Sequence, residues 1–125
     1  MPLLPTISLL LAALFAGDSL AEARMRLLVQ SSPLAGSQYY AMAETWPEMR
    51  VGDALQLIRE PDNRHDRNAI RVEWRGRKLG YVPRAENRGV AAAMDAGQRV
   101  VARVARLKES SDPWQRVEIE IFLVL

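Results

Sequence analysis

The apolar positions of this chain fall mostly on a period of two. Leu55 and Leu57 share one face of Ala54 to Arg59, and Ile70, Val72 and Trp74 alternate with Arg71 and Glu73. Val100, Ala102 and Val104 stand opposite Arg99 and Arg103 within Arg99 to Leu107. In Arg116 to Leu125, Val117, Ile119 and Ile121 alternate with Glu118 and Glu120. Alternation places every second side chain on the same face of a pleated strand, so these segments read as half-buried strands. Arg26 to Gln30 and Lys78 to Val82 are shorter runs of the same kind, and Arg75-Gly76-Arg77 supplies a tight turn that makes the latter the second arm of a hairpin. Ser31 to Ser37 and Lys108 to Pro113 carry turn residues and read as loops. Only Glu86 to Ala96 leaves the pattern: it is Ala-rich, Gly97 is placed to cap its end, and Pro83 stops the strand before it, so a helix is predicted there. About six short strands with one or two short helices predict a mainly β fold, a small closed or nearly closed barrel, because closure removes the exposed edges of so short a sheet.

At 125 residues, 49% hydrophobic and 26% charged, the chain has the balance of one ordinary globular domain. Cysteine is absent, which excludes disulfides, thiolate metal sites and a Cys nucleophile. Ahead of the first strand, Ile7 to Ala16 is an uncharged apolar run followed by the small-x-small sites Ser19-Leu20-Ala21 and Ala21-Glu22-Ala23. That is the pattern of a signal peptide over residues 1–23, cleaved after Ala21 or Ala23, and the run is too short to span a bilayer. The n-region holds no Lys or Arg, so initiation at Met25 is the alternative. A processed leader makes the 24–125 domain periplasmic or secreted; a start at Met25 makes it cytoplasmic.

The formal net charge is +2, and of 17 cations only Lys78 and Lys108 are lysine. Planar guanidinium groups suit bidentate phosphate recognition, although a GC-rich genome favours arginine as well. Between two good strands lies REPDNRHDRNAI, Arg59 to Ile70, whose composition is unusual for a plain turn. Asp62, Asn63, Asp66 and Asn68 can each bond nearby backbone amides, and for Asn68 that structural role is the favoured one.

The order Arg59-Glu60-Pro61-x-Asn63-x-x-Asp66-x-Asn68-Ala69-Ile70, then Gly76, then Leu79-Gly80-Tyr81-Val82-Pro83-Arg84, then Met94-Asp95-Ala96-Gly97, with Tyr39-Tyr40 upstream, resembles the HIRAN domain. The match covers nearly the whole chain after the leader. The resemblance implies a modified OB-like or SH3-like barrel that holds single-stranded DNA at its 3′ end and needs no cofactor or metal. It implies stacking of a base on Tyr39, with Tyr40 beside it, and contacts from Asn63 and Asp66 to the terminal sugar and its hydroxyl. Arg84 falls where the family often has a cation for backbone phosphates, and Tyr81 lies next to it. His65 stands where DNA-binding members carry Tyr, and Gln38 replaces a cation before Tyr39-Tyr40. A carboxylate such as Asp66 accepts a hydroxyl hydrogen and repels a terminal phosphate, whereas a Tyr ring stacks on any base.

Two other readings use the same residues. His65 with Glu60, Asp62 and Asp66 would serve an enzyme, but His65 is the only histidine and no Ser-His-Asp, Glu-x-x-His, calcium-loop or GxxxxGK[ST] pattern accompanies it. Catalysis is therefore not expected. The leader supports an exported binding or scaffold domain for an anionic glycan or a protein partner, since the fold alone does not fix the ligand. In either binding reading the chain is expected to act as a monomer without a membrane span. Among Trp46, Trp74 and Trp114, the loop-like surroundings of Trp46 make it the one expected at the surface.

Overall fold

The computed structural model describes residues 25–125; the leader and its cleavage sites lie outside the described residues. Six antiparallel strands form one sheet, and their sequence order explains how it curls. They are β1 (Arg26–Pro33), β2 (Ala54–Arg59), β3 (Ile70–Trp74), β4 (Arg77–Tyr81), β5 (Val100–Leu107) and β6 (Val117–Val124), arranged β1-β6-β5-β2-β3-β4. The two ends of that order meet. Just past β1, Ala35 N donates to Tyr81 O at 2.8 Å and Tyr81 N donates to Ala35 O at 2.9 Å, so β4 closes on the chain leaving β1. The expected small barrel is thus formed, sealed by one residue pair.

Gly80 makes that seal possible. A Cβ built on it would lie 2.3 Å from the Ala35 carbonyl oxygen and 3.2 Å from Leu34 Cγ, a space that only hydrogen fills. The barrel interior takes the period-two residues: Ile70, Val72 and Trp74 of β3, Val104 of β5, and Val117, Ile119 and Ile121 of β6 are all buried. Leu34, Leu79 and Val82 complete the core around the closure. Arg75 (φ 47) and Gly76 (φ 78) form the two-residue β3–β4 turn, both in the left-handed region that such a turn requires.

Two short helices cap the barrel. Helix α1 (Met42–Thr45) buries Met42 and Thr45, and Thr45 Oγ1 donates back to Ala41 O at 2.9 Å. Helix α2 (Arg88–Asp95) buries Val90 and Ala91 and is followed by Ala96 as its C-cap and Gly97, whose φ is 83. The first and last of the described residues also come together, with Leu125 N donating to Met25 O at 2.9 Å.

Three local expectations change. Ser31 to Pro33 extend β1 instead of starting a loop, because they pair with Glu120, Ile119 and Glu118 of β6 past a bulge between Leu28 and Gln30. The helix begins at Arg88, since Arg84–Glu86 form a separate 3₁₀ turn. Trp46 packs against the core and Trp114 is the exposed tryptophan at 53%. Among the described residues, no helix is long and apolar enough to cross a membrane.

Candidate functional site

The loop Glu60 to Ala69 folds around its own polar side chains. Asn63 Oδ1 accepts from the backbone N–H of His65 at 2.9 Å and of Asp66 at 3.2 Å, and its Nδ2 donates to Glu60 Oε1 at 2.9 Å. Asp66 Oδ1 accepts from Asn68 N at 2.9 Å, an Asx turn that settles the entry into β3. Its Oδ2 accepts from Asn87 Nδ2 at 2.7 Å, and Asn87 is buried at the start of α2. Each Asp66 oxygen retains a lone pair, so the carboxylate is oriented yet still able to accept a hydroxyl.

Below the loop, Glu60 is the hub. Its Oε1 accepts from Asn63 and from the Tyr81 hydroxyl at 2.9 Å, and its Oε2 accepts from Arg71 Nη1 at 2.7 Å. Burial pushes the Glu60 carboxyl up, but the bonds from Asn63, Tyr81 and Arg71 outweigh it and hold its pKa below the usual glutamate range. Burial, with the Glu60 carboxylate adding to it, raises the Tyr81 hydroxyl, so Tyr81 stays protonated and donating. Arg59 anchors the far side of the loop: its guanidinium donates to Ala69 O at 2.8 Å and Arg67 O at 3.0 Å and reaches Asp95 on α2.

An aromatic pair stands beside this network. The Tyr40 and Tyr81 rings meet edge to face at 6.0 Å, and Lys78 Nζ sits 4.0 Å from the Tyr40 centroid and 4.7 Å from that of Tyr81. One cation over both rings fixes their mutual angle. Tyr40, Asn63, His65, Asp66, Tyr81 and Arg84 all line one open groove of about 230 Å³. The barrel closure is what assembles it, because Ala35 and Tyr81 are the bridged pair. Tyr39 is not among the lining residues; it is 77% exposed on the neighbouring 3₁₀ turn. A second open cleft, of about 490 Å³, shares Asn63, His65, Asp66 and Arg84 with this groove and is lined also by Arg64, Arg67 and Arg88.

The fold therefore brings together six of the seven site residues named from the sequence, while Glu60 as a hub and Lys78, Arg59 and Asn87 as supports went unforeseen. Glu60 and Arg59 were visible inside the motif, but their partners lie up to 36 residues away. The carboxylates of the enzymatic reading are otherwise engaged or apart: Glu60 serves Arg71 and Tyr81, and Asp62 is exposed. Among the described residues no group of three His, Asp or Glu is placed to hold a metal ion.

Comparison with known proteins identifies the fold. Residues 27–125 match the family model described as HIRAN domain. The crystal structure of a protein from Lactobacillus plantarum is similar with a TM-score of 0.70 at 32% identity, covering 81% of this chain and 97% of that one. The crystal structure of the HIRAN domain of human HLTF has the same fold, with a TM-score of 0.58 at 19% identity over 79% of this chain and 78% of that one. A search of curated proteins gives no match.

Proposed function

Given that the chain belongs to the HIRAN domain family, generally a DNA-binding module, we propose that it captures the 3′ end of single-stranded DNA in the groove between Tyr40, Tyr81 and Asp66. The observation that carries this reading is the meeting, in one groove, of an aromatic pair, an oriented carboxylate and the cation Arg84. A base stacks on the tyrosine wall without regard to sequence, Arg84 faces a backbone phosphate, and Asp66 accepts the terminal hydroxyl. A terminal phosphate in that place would meet the Asp66 carboxylate. The role is binding and not catalysis.

The deciding measurement compares otherwise identical oligonucleotides ending in a 3′-hydroxyl, a 3′-phosphate or a blocked duplex, across a salt series. The 3′-hydroxyl strand should bind tightest, and Asp66→Asn should erase its advantage over the 3′-phosphate. Equal binding of all three by the unaltered protein sinks end recognition.

We also propose that the leader exports the domain, on the strength of the apolar run Ile7 to Ala16 and its small-x-small sites. Intact-mass determination on fractionated cells tests this: a mature start after Ala21 or Ala23 supports export, and a start at Met25 refutes it. An exported binding or scaffold domain for an anionic glycan or a protein partner is the alternative reading, and it is favoured if the oligonucleotide series shows no preference for the 3′-hydroxyl.

A further inference from the structure

The arginine cleft next to the aromatic groove adds Arg64, Arg67 and Arg88, which have no role in end capture, and its lining differs in kind. The two clefts share Asn63, His65, Asp66 and Arg84, but no Tyr, Trp or Phe lines the arginine cleft. Among the described residues, Arg64, Arg67, Arg84 and Arg88 form no ion pair, whereas Arg59, Arg71, Arg77, Arg103 and Arg106 all do. The only carboxylate in the lining is Asp66, and both of its oxygens already accept hydrogen bonds. Four arginines thus line one cleft against a single carboxylate, an excess of positive charge that an anion with several charges relieves. The cleft is also held in shape. Arg67 in the loop and Arg88 at the start of α2 are kept on facing sides by the Asp66–Asn87 bond of 2.7 Å, which spans 21 residues of sequence.

We propose that this cleft is a second subsite that takes the phosphodiester backbone of the strand inward of its 3′ end. Planar guanidinium forks match phosphate oxygens in pairs, and the lining offers four of them against the single imidazole of His65, so it favours phosphate over a stacked base. Because His65 and Asp66 form the wall common to both clefts, a strand that ends in the groove passes directly into the arginines. The direction of the strand rests on the end-binding reading, and the preference for phosphate rests on the cleft alone.

Arg64, Arg67 and Arg88 are exposed, so the triple variant Arg64→Gln/Arg67→Gln/Arg88→Gln should fold as the unaltered chain does. A dinucleotide and a decanucleotide, both ending in a 3′-hydroxyl, are titrated against both proteins over a salt series. The unaltered protein should prefer the decanucleotide, and the variant should lose that preference while holding the dinucleotide as before. Its slope of log affinity against log salt for the decanucleotide should fall by about 2, at about 0.7 for each phosphate of a single strand left without its cation. An unchanged preference and slope, or an equal loss on both lengths, overturns the subsite. Tripolyphosphate, which offers neither base nor 3′-hydroxyl, separates this outcome from a failure of end capture: it should bind the unaltered protein and not the variant. Its failure to bind the unaltered protein removes the cleft whatever the groove does.

Discussion

Arg59 holds Asp95 with two bonds, Nε to Oδ1 at 2.9 Å and Nη2 to Oδ2 at 3.1 Å, and so ties the ligand loop to the last residue of helix α2. The pair raises the Arg59 pKa and lowers that of Asp95, each through the hydrogen bond between them. The partners are unequal, because the Arg59 side chain is 14% exposed and that of Asp95 is 58% exposed. Arg59 also serves the carbonyls of Ala69 and Arg67. Arg59→Met should therefore destabilise the fold by about 1–3 kcal/mol, through loss of the charge-assisted bonds that hold the loop carbonyls of Ala69 and Arg67, whereas Asp95→Ala should barely move the midpoint of urea unfolding.

Acid should loosen the loop before it unfolds the barrel. The folded-state pKa of Glu60 lies below its ordinary value of 4.5, so its stabilising contribution is complete above that value and is lost as pH falls through the lower folded one. Asp53 acts in the same direction: the Arg50 backbone N–H and Trp74 indole hold its carboxyl down against burial. Unfolding followed from neutral pH down to about pH 3 should show a decline that flattens in Glu60→Gln. A variant with the same decline would remove Glu60 from the account.

Gly80→Ala is expected to open the seal of the barrel. The added methyl meets the Ala35 carbonyl at 2.3 Å, and the backbone must part to admit it. Overpacking of this kind costs about 1–3 kcal/mol, and here the displaced residue is Tyr81, so ligand affinity should fall along with the unfolding midpoint. Amide exchange at Ala35 and Tyr81, which are bonded to each other, should quicken first.

Tyr40→Ala should weaken oligonucleotide binding by about 1–3 kcal/mol, the worth of one stacked base. Tyr39→Ala should weaken it less, because Tyr40 and Tyr81 form the wall of the groove and Tyr39 stands outside its lining. Isothermal titration of both variants with the same strand distinguishes them, and a larger loss for Tyr39 would move the stacking platform to the exposed ring.

Strands whose partners are close, such as β3 and β4 around Arg75-Gly76, are legible from alternation and turn chemistry alone. The extension of β1 through Pro33 is not, because its cause is a strand more than eighty residues further on, Glu118 and Ile119 of β6. The candidate site divides in the same way. Asn63 and Asp66 carry the turn chemistry that their residue types announce, since each bonds backbone amides two or three positions ahead. Nothing local marks Lys78, which becomes part of the site only when the fold brings the Tyr40 and Tyr81 rings to it. Trp46 and Trp114 show the limit for burial: neighbouring loop residues suggest exposure for the first, but packing against the core decides otherwise.

The meeting of Met25 and Leu125 makes this barrel a cassette. A segment whose entry and exit lie one hydrogen bond apart can be spliced into a surface loop of an unrelated host without stretching either side, since the host backbone sees little more than a widened turn. The groove would travel with it, because among the described residues the side-chain bonds that shape it join positions 60 to 87, well inside that segment.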